Sequence, residues 1–217
     1  MPFLQFFESG TPGLILPWLT AIIIAITVHE FSHAYAAYKL GDSTAEAAGR
    51  LTLNPLAHLD VFGSLMLLLV GFGWARPVPI NPVFIKKGRL GLFWVSVAGI
   101  LSNIVLATVS VIVLRVLLQY SHLDQFNYLI KFLVFLVFID VALAVFNLIP
   151  IAPLDGYRIF ESFAPRAFYQ YAPFIERWGF MILLAVVFLT NVVGYLIIFA
   201  VNIFSILSGV NIPYLLS

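Results

Sequence analysis

The chain has no cysteine and very few charged residues among its 217 positions. Without cysteine, disulfides, thiolate metal sites and iron–sulfur clusters are excluded, so any metal must be bound by histidine or carboxylate. Only 10% of the residues are charged and 62% are hydrophobic, whereas a soluble domain averages about 25% charged and roughly 45–50% apolar residues. Eleven Lys and Arg balance ten Asp and Glu, and without a basic stripe no nucleic-acid partner is expected. This composition predicts a membrane protein.

Several apolar runs are long enough to cross a bilayer, which takes roughly 17–25 residues. They cover about 14–38, 90–114, 128–150 and 178–208. The run 61–72 is shorter and is expected to be re-entrant, while the last run can form one helix or two. We therefore predict an all-α polytopic membrane protein with four to six transmembrane helices, forming one integral-membrane domain over residues 1–217.

Basic residues between the first two long runs indicate the orientation in the membrane. They are Lys39, Arg50, Arg76, Lys86, Lys87 and Arg89. Such an excess marks the cytoplasmic side, so the first helix should enter the cytoplasm near Lys39. Residues 121–127 then lie outside. Residues 1–19 contain no Lys or Arg, so the first run is expected to be a retained helix rather than a signal peptide.

Closely spaced prolines mark the segment 75–82, with Pro77, Pro79 and Pro82 inside it. Proline fixes φ and restricts the residue before it, so this segment should be extended and not helical. The pattern predicts a short strand or β-hairpin at the membrane face, and a rigid connector is the alternative.

The first apolar run contains His29-Glu30-Phe31-Ser32-His33, an H-E-x-x-H pattern. Two imidazoles four residues apart project from one helical face and can bind one Zn²⁺, while Glu30 lies about 100° around the helix, within reach of a water beside the metal. Ionisable groups in an apolar span are costly and normally mark a metal, proton or substrate site. A pair of core histidines beside a hydrogen-bonded glutamate is the alternative.

A catalytic zinc takes three protein ligands, so one more must come from elsewhere in the chain. The candidates are His58, Asp60, Asp140, Asp155 and Glu161. Depth in the membrane favours Asp155, because the two histidines lie about 9–15 Å from Lys39 at 1.5 Å per residue and Asp155 follows the cytoplasmic end of the third long run. Two prolines shortly before it break the helix and free the backbone to turn a carboxylate inward.

The segment Asn147-Leu148-Ile149-Pro150-Ile151-Ala152-Pro153-Leu154-Asp155-Gly156 completes a family pattern. With H-E-x-x-H, this N-x-x-P-x-x-x-L-D-G resembles the site-2 protease family of intramembrane zinc metalloproteases. The likeness covers about 14–156, taken as the catalytic core, with C-terminal helices over 157–217. It is greatest to small bacterial and archaeal members without PDZ or CBS domains, which implies a prokaryotic cell membrane and a site that opens toward the cytoplasm.

The resemblance implies roles for individual residues. His29, His33 and Asp155 would bind one zinc ion per chain, Glu30 would be the catalytic base, and Asn147 would help to hold the substrate. The segment around Val78 and Ile80 would offer a strand edge to an extended substrate.

Three further polar residues are candidates for a supporting role near the metal. Asn103 ends Ala98-Gly99-Ile100-Leu101-Ser102-Asn103, which resembles the G-P-x-x-N helix of the family although Ile100 stands where proline is usual. Asp140 lies two helical turns before Asn147, and either supports the site or hydrogen-bonds between helices. His58 either supports the site or is a plain loop histidine.

Two functions from different classes are compatible with the ionisable cluster. The first is an intramembrane zinc metalloprotease that hydrolyses peptide bonds in or near transmembrane segments of membrane proteins within the lipid bilayer. The alternative is a transporter or metal permease that uses the His, Glu and Asp cluster as an ion site. Transporters of this kind often have repeated halves with matching broken helices, and the sequence shows none. The protease is therefore the predicted function, and the oligomeric state stays open.

Overall fold

A computed structural model describes residues 12–70, 73–121, 123–124 and 127–216. The α-helices within these ranges are α1 (Ile15–Lys39), α2 (Thr44–Ala47), α3 (Val61–Val70), α4 (Arg89–Tyr120), α5 (Tyr128–Asn147), α6 (Asp155–Phe163), α7 (Ala172–Leu189), α8 (Val192–Ser208) and α9 (Ile212–Leu216). Short 3₁₀ turns cover Pro12–Leu14, Pro55–Ala57 and Arg166–Gln170.

The helices α1, α4, α5 and α7 are each long and apolar enough to cross a bilayer. At 1.5 Å per residue, even the 18-residue α7 is about 27 Å long, close to the hydrocarbon thickness of about 30 Å. The prediction of an all-helical membrane protein is thus confirmed, with a number of long apolar helices inside the expected range.

The two ambiguous apolar runs take definite forms in the structure. The C-terminal run divides into α7 and α8, which are separated at Thr190 and Asn191. The helix α3 has ten residues and is therefore about 15 Å long, half the hydrocarbon thickness. That length suits a re-entrant or interfacial segment and is too short for a span.

The helix α5 lies at the centre of the bundle and is buried on every side. It packs most extensively against α4 and α1, and also contacts α8 and α9. One apolar cluster joins its Val134 and Val137 to α4, α8 and α9, and another joins Leu136 and Ile139 to Ala25 of α1. An all-round hydrophobic helix of this kind belongs in a bundle interior. Asp140, on the central part of α5, is therefore a polar residue in the middle of the protein.

The expected β-hairpin at 75–82 is not confirmed. The segment is extended as the prolines predict, but no sheet forms in the described part of the chain, and the pairing there is one antiparallel bridge between Leu59 and Ala75. Arg76 N–H donates to the His58 carbonyl at 2.8 Å. Pro77 and Pro79 remove N–H donors beyond Arg76, so the ladder cannot continue along the segment in that direction. The segment is extended chain that this isolated bridge joins to the loop before α3.

Candidate active site

His29, His33 and Asp155 converge where α1 meets the start of α6. The two Nε2 atoms lie 3.1 Å apart, and Oδ2 of Asp155 lies 3.3 Å from Nε2 of His29 and 3.1 Å from Nε2 of His33. Tetrahedral zinc with bonds of about 2.0–2.1 Å requires ligand atoms roughly 3.3 Å apart. Within the described residues, these three form the group of side chains that could hold a metal ion.

Hydrogen bonds on the far side of each imidazole direct Nε2 toward this point. Nδ1 of His29 lies 2.5 Å from Oδ1 of Asn103, and Nδ1 of His33 lies 2.8 Å from the Val95 carbonyl. Both partners are acceptors, so each Nδ1 carries the proton and each Nε2 presents a lone pair. Oδ2 of Asp155 is buried without a hydrogen-bond partner in the described part of the structure. Three acceptor atoms that face one another fit a cation such as zinc.

The turn before α6 places the Asp155 carboxylate beside α1. Gly156 is essential to this packing, because a Cβ there would lie 2.4 Å from the Leu148 carbonyl and 2.5 Å from that of Ile149. The backbone can approach so closely only where no side chain is present. The L-D-G part of the sequence pattern thus reflects a tight return of the chain after α5.

Gly99 on α4 serves the same purpose opposite the histidines. A Cβ at this position would lie 2.4 Å from Nε2 of His33 and 2.7 Å from Cε1 of His29. Any side chain here would enter the space where the three ligand atoms meet. Sequence reasoning treated Gly99 only as part of a family pattern, because nothing local to it shows that two imidazoles lie against it.

Glu30 lies next to the ligand group and is held by the extended segment. Its Oε2 accepts a hydrogen bond from the Val78 N–H at 3.1 Å. Arg50 is buried nearby, and its guanidinium donates to the Arg76 carbonyl. Burial lowers the pKa of Arg50, and the negative charge of Glu30 opposes that effect. Sequence reasoning used Arg50 only for topology and missed its place beside the site.

A cavity of about 540 Å³ opens in front of His29 and Glu30. Asn147 lines it, as do Ala75 and Pro77 of the extended segment. Phe180 and Leu183 of α7 also line it, so a helix beyond the expected core of 14–156 contributes to the cleft.

An apolar cavity of about 400 Å³ adjoins the first and runs along α1 as far as Trp18. The two cavities share Ile26, Gly73, Trp74, Ala75, Leu143 and Phe146. Trp18 and His29 are eleven residues apart, which on a helix is about 16 Å along the axis. The site therefore lies at one end of an apolar groove between α1, α3 and α5.

The other predicted site residues lie in different parts of the structure, some beside the ligand group and some away from it. Asn103 and Asp140 join His29 in one hydrogen-bonded chain. His58 is fully buried with Nε2 on the Thr52 carbonyl at 2.8 Å, which places it in the loop that holds the extended segment and outside the ligand group. Ile80 packs in the apolar clusters below the segment and does not line the cleft.

Val78 takes a different place from the one that the sequence suggested. Its side chain is buried and its N–H is already donated to Glu30. Its N–H is therefore bonded to the expected base, and its role in substrate binding stays a prediction.

Comparison with known proteins points to one family. The model of peptidase family M50 matches residues 17–190. The chain is 42% identical over 190 residues to zinc metalloprotease YwhC of Bacillus subtilis strain 168, with 86% of each chain covered. It is 31% identical to zinc metalloprotease Rip2 of Mycolicibacterium smegmatis, covering 78% of this chain and 66% of Rip2. Both names mark the activity as inferred. No solved structure matches.

Proposed function

Because the chain belongs to peptidase family M50, the site-2 protease family, and is a zinc metalloprotease, we propose that it cleaves membrane-protein substrates in or near their transmembrane segments. The observation that carries this proposal is the position of the ligand group at the end of an apolar groove that continues into its cleft. Membership of this family sets aside the alternative of a transporter or metal permease.

The proposed ligands are His29, His33 and Asp155, and the proposed base is Glu30. Zinc bound there supplies Lewis-acid polarisation of the peptide carbonyl and of water. Glu30 accepts a proton as the water oxygen bonds to the carbonyl carbon, and then delivers that proton to the nitrogen as the C–N bond breaks. The Val78 N–H holds one oxygen of Glu30, which leaves the other oxygen for this transfer.

The extended segment suggests how a substrate strand would bind. Arg76 directs its N–H to His58 and its carbonyl to Arg50, and backbone groups alternate in direction along a strand. Ala75 and Pro77 line the cleft, and none of the described hydrogen bonds uses their backbone groups. Strand addition to this edge would use the Ala75 N–H and the two carbonyls. This assignment moves the expected substrate contact from Val78 and Ile80 to Ala75.

The apolar groove suggests where the rest of the substrate lies. It follows α1 from His29 toward Trp18, away from the basic residues that mark the cytoplasmic side. A groove about 16 Å long holds about five extended residues at 3.3 Å each. Apolar residues on the outer-leaflet side of the scissile bond would fit it, with the bond itself near the cytoplasmic end.

The test is cleavage of single-span membrane proteins in liposomes by the purified zinc-loaded chain. Wild type should release two fragments from at least one such substrate, and Glu30→Gln should release them about 10²–10⁴-fold more slowly while it keeps one zinc per chain. Activity confined to soluble unstructured peptides, with no cut in any membrane-inserted substrate, would contradict the proposal.

A further inference from the structure

A buried chain of hydrogen bonds runs from His29 to the centre of the bundle. Nδ1 of His29 on α1 lies 2.5 Å from Oδ1 of Asn103 on α4. Nδ2 of the same Asn103 donates to Oδ1 of Asp140 on α5 at 2.5 Å. Asn103 and Asp140 are both fully buried. The chain thus links the three helices that form the core of the protein.

The second hydrogen bond determines the direction of the first. An amide has one accepting end and one donating end, and Asp140 takes the donating end of Asn103. Oδ1 of Asn103 must then face His29, which places the imidazole proton on Nδ1. Nε2 of His29 is left as a lone pair directed at Asp155. An Asn103 side chain turned the other way would place a donor against Nδ1 and favour a proton on Nε2, where a metal cannot bind.

Burial of the Asp140 carboxylate at this position lowers the stability of the fold. Its Oδ2 is buried and has no hydrogen-bond partner in the described part of the structure. A polar group buried without a partner destabilises a protein, and an apolar residue on the enclosed helix α5 would avoid that cost. Among the described residues, the hydrogen bond that links Asp140 to the site is the one from Asn103.

We propose that Asp140 and Asn103 are positioning residues that fix the orientation and tautomer of His29. This inference rests on the proposed assignment of His29 as a metal ligand. Asp140 acts only through Asn103, and what it supplies is a hydrogen-bond acceptor. Outer partners of metal ligands typically contribute about 10–100-fold to metal affinity.

The experiment measures zinc affinity by chelator competition on purified protein, together with the absorption spectrum of the Co²⁺-substituted form. Asp140→Leu should weaken zinc binding about 10–100-fold and alter the Co²⁺ spectrum. Asp140→Asn keeps an acceptor for Asn103 and should stay within about threefold of wild type with an unchanged spectrum. Thr27→Val is the matched control, because the buried Thr27 hydroxyl donates to the Ile23 carbonyl of its own helix, α1.

A double-variant comparison tests whether Asp140 acts through Asn103. Asn103→Leu should lose as much affinity as Asp140→Leu, and the Asn103→Leu/Asp140→Leu double variant should lose no more than Asn103→Leu alone. The double variant leaves no unpaired partner between the two positions, so it keeps the test available if Asp140→Leu does not fold.

The outcomes separate this inference from the proposed function. Wild-type affinity in Asp140→Leu, or equal losses in Asp140→Leu and Asp140→Asn, would overturn the positioning role while leaving the protease standing. Additive losses in the double variant would also overturn it. A wild-type chain that binds no zinc would overturn both.

Discussion

The backbone N–H of Val78 and the carboxylate of Glu30 are joined by a hydrogen bond of 3.1 Å. The proposed base is therefore held by the same extended segment that supplies Ala75 and Pro77 to the lining of the cleft. Displacement of that segment would also displace Glu30, so we expect substrate binding to the segment to affect the position of the proposed base.

Replacing Val78 tests this connection. Val78→Pro removes the N–H, so Glu30 loses its anchor and cleavage should fall, while the zinc content stays at wild-type level because no ligand is touched. Val78→Ala keeps the N–H and should retain most of the activity. Equal activity in the proline and alanine variants, measured on the same liposome substrate, would show that the hydrogen bond is unimportant.

Glu30→Gln should lower the cleavage rate by about 10²–10⁴-fold, the usual contribution of general acid–base catalysis. The amide cannot take a proton from water, but no metal ligand is removed, so metal analysis should still find one zinc per chain. Turnover near wild type would reject Glu30 as the base.

Loss of a ligand should remove metal and activity together. Asp155→Ala or His33→Ala leaves two protein ligands, and both variants should lose zinc on dialysis. The fully buried His58 makes its Nε2 contact with a loop carbonyl, so His58→Gln should keep its zinc. A full equivalent of zinc in dialysed Asp155→Ala would mean that the third ligand is another residue.

Gly99→Ala should abolish zinc binding although it adds one methyl group. The new Cβ would lie 2.4 Å from Nε2 of His33, a distance that forces the imidazole or α4 to move. Gly194→Ala is the control, since a Cβ there meets nothing within 4 Å, and alanine in a helix should stabilise the protein by about 0.5–1 kcal/mol. Equal zinc affinity in the two variants, at equal thermal stability, would contradict this geometry.

Labelling of single cysteines tests the orientation, and the absence of native cysteine makes it clean. Lys87→Cys should resist an impermeant thiol reagent in intact cells, because the basic loop is expected to be cytoplasmic. Ser121→Cys, at the other end of α4, should react. The reverse pattern would invert the topology and move the cleft opening to the outside, without affecting the ligand geometry.

Local periodicity explains what the sequence could predict of the site. Residues four apart on a helix share one face, so His29 and His33 lie side by side whatever the rest of the chain does. Two prolines and Gly156 allow the chain to turn back tightly toward them. The structure brings Asp155 to the place that depth arguments gave it.

The contacts that sequence reasoning missed join residues far apart in the chain. The hydrogen bond between His33 and the Val95 carbonyl joins residues that are 62 positions apart. Gly99 approaches the histidines through the packing of α4 on α1. Neither has a local signal, because helix periodicity says which face is apolar but not which carbonyl or glycine lies opposite an imidazole. The difference between the predicted hairpin and the observed extended segment has a related cause. Prolines fix an extended backbone, but the partner of a strand is decided elsewhere in the chain, here by Arg50 and the loop before α3.

The open edge of the extended segment has a consequence for the resting enzyme. Backbone N–H and carbonyl groups at membrane depth cannot face lipid, because each unsatisfied group costs several kcal/mol. The edge at Ala75 and Pro77 must therefore be hydrated whenever no peptide covers it. Because the same cleft contains Glu30, we expect the free enzyme to hold water, the second reactant of hydrolysis, beside the proposed base before any substrate arrives.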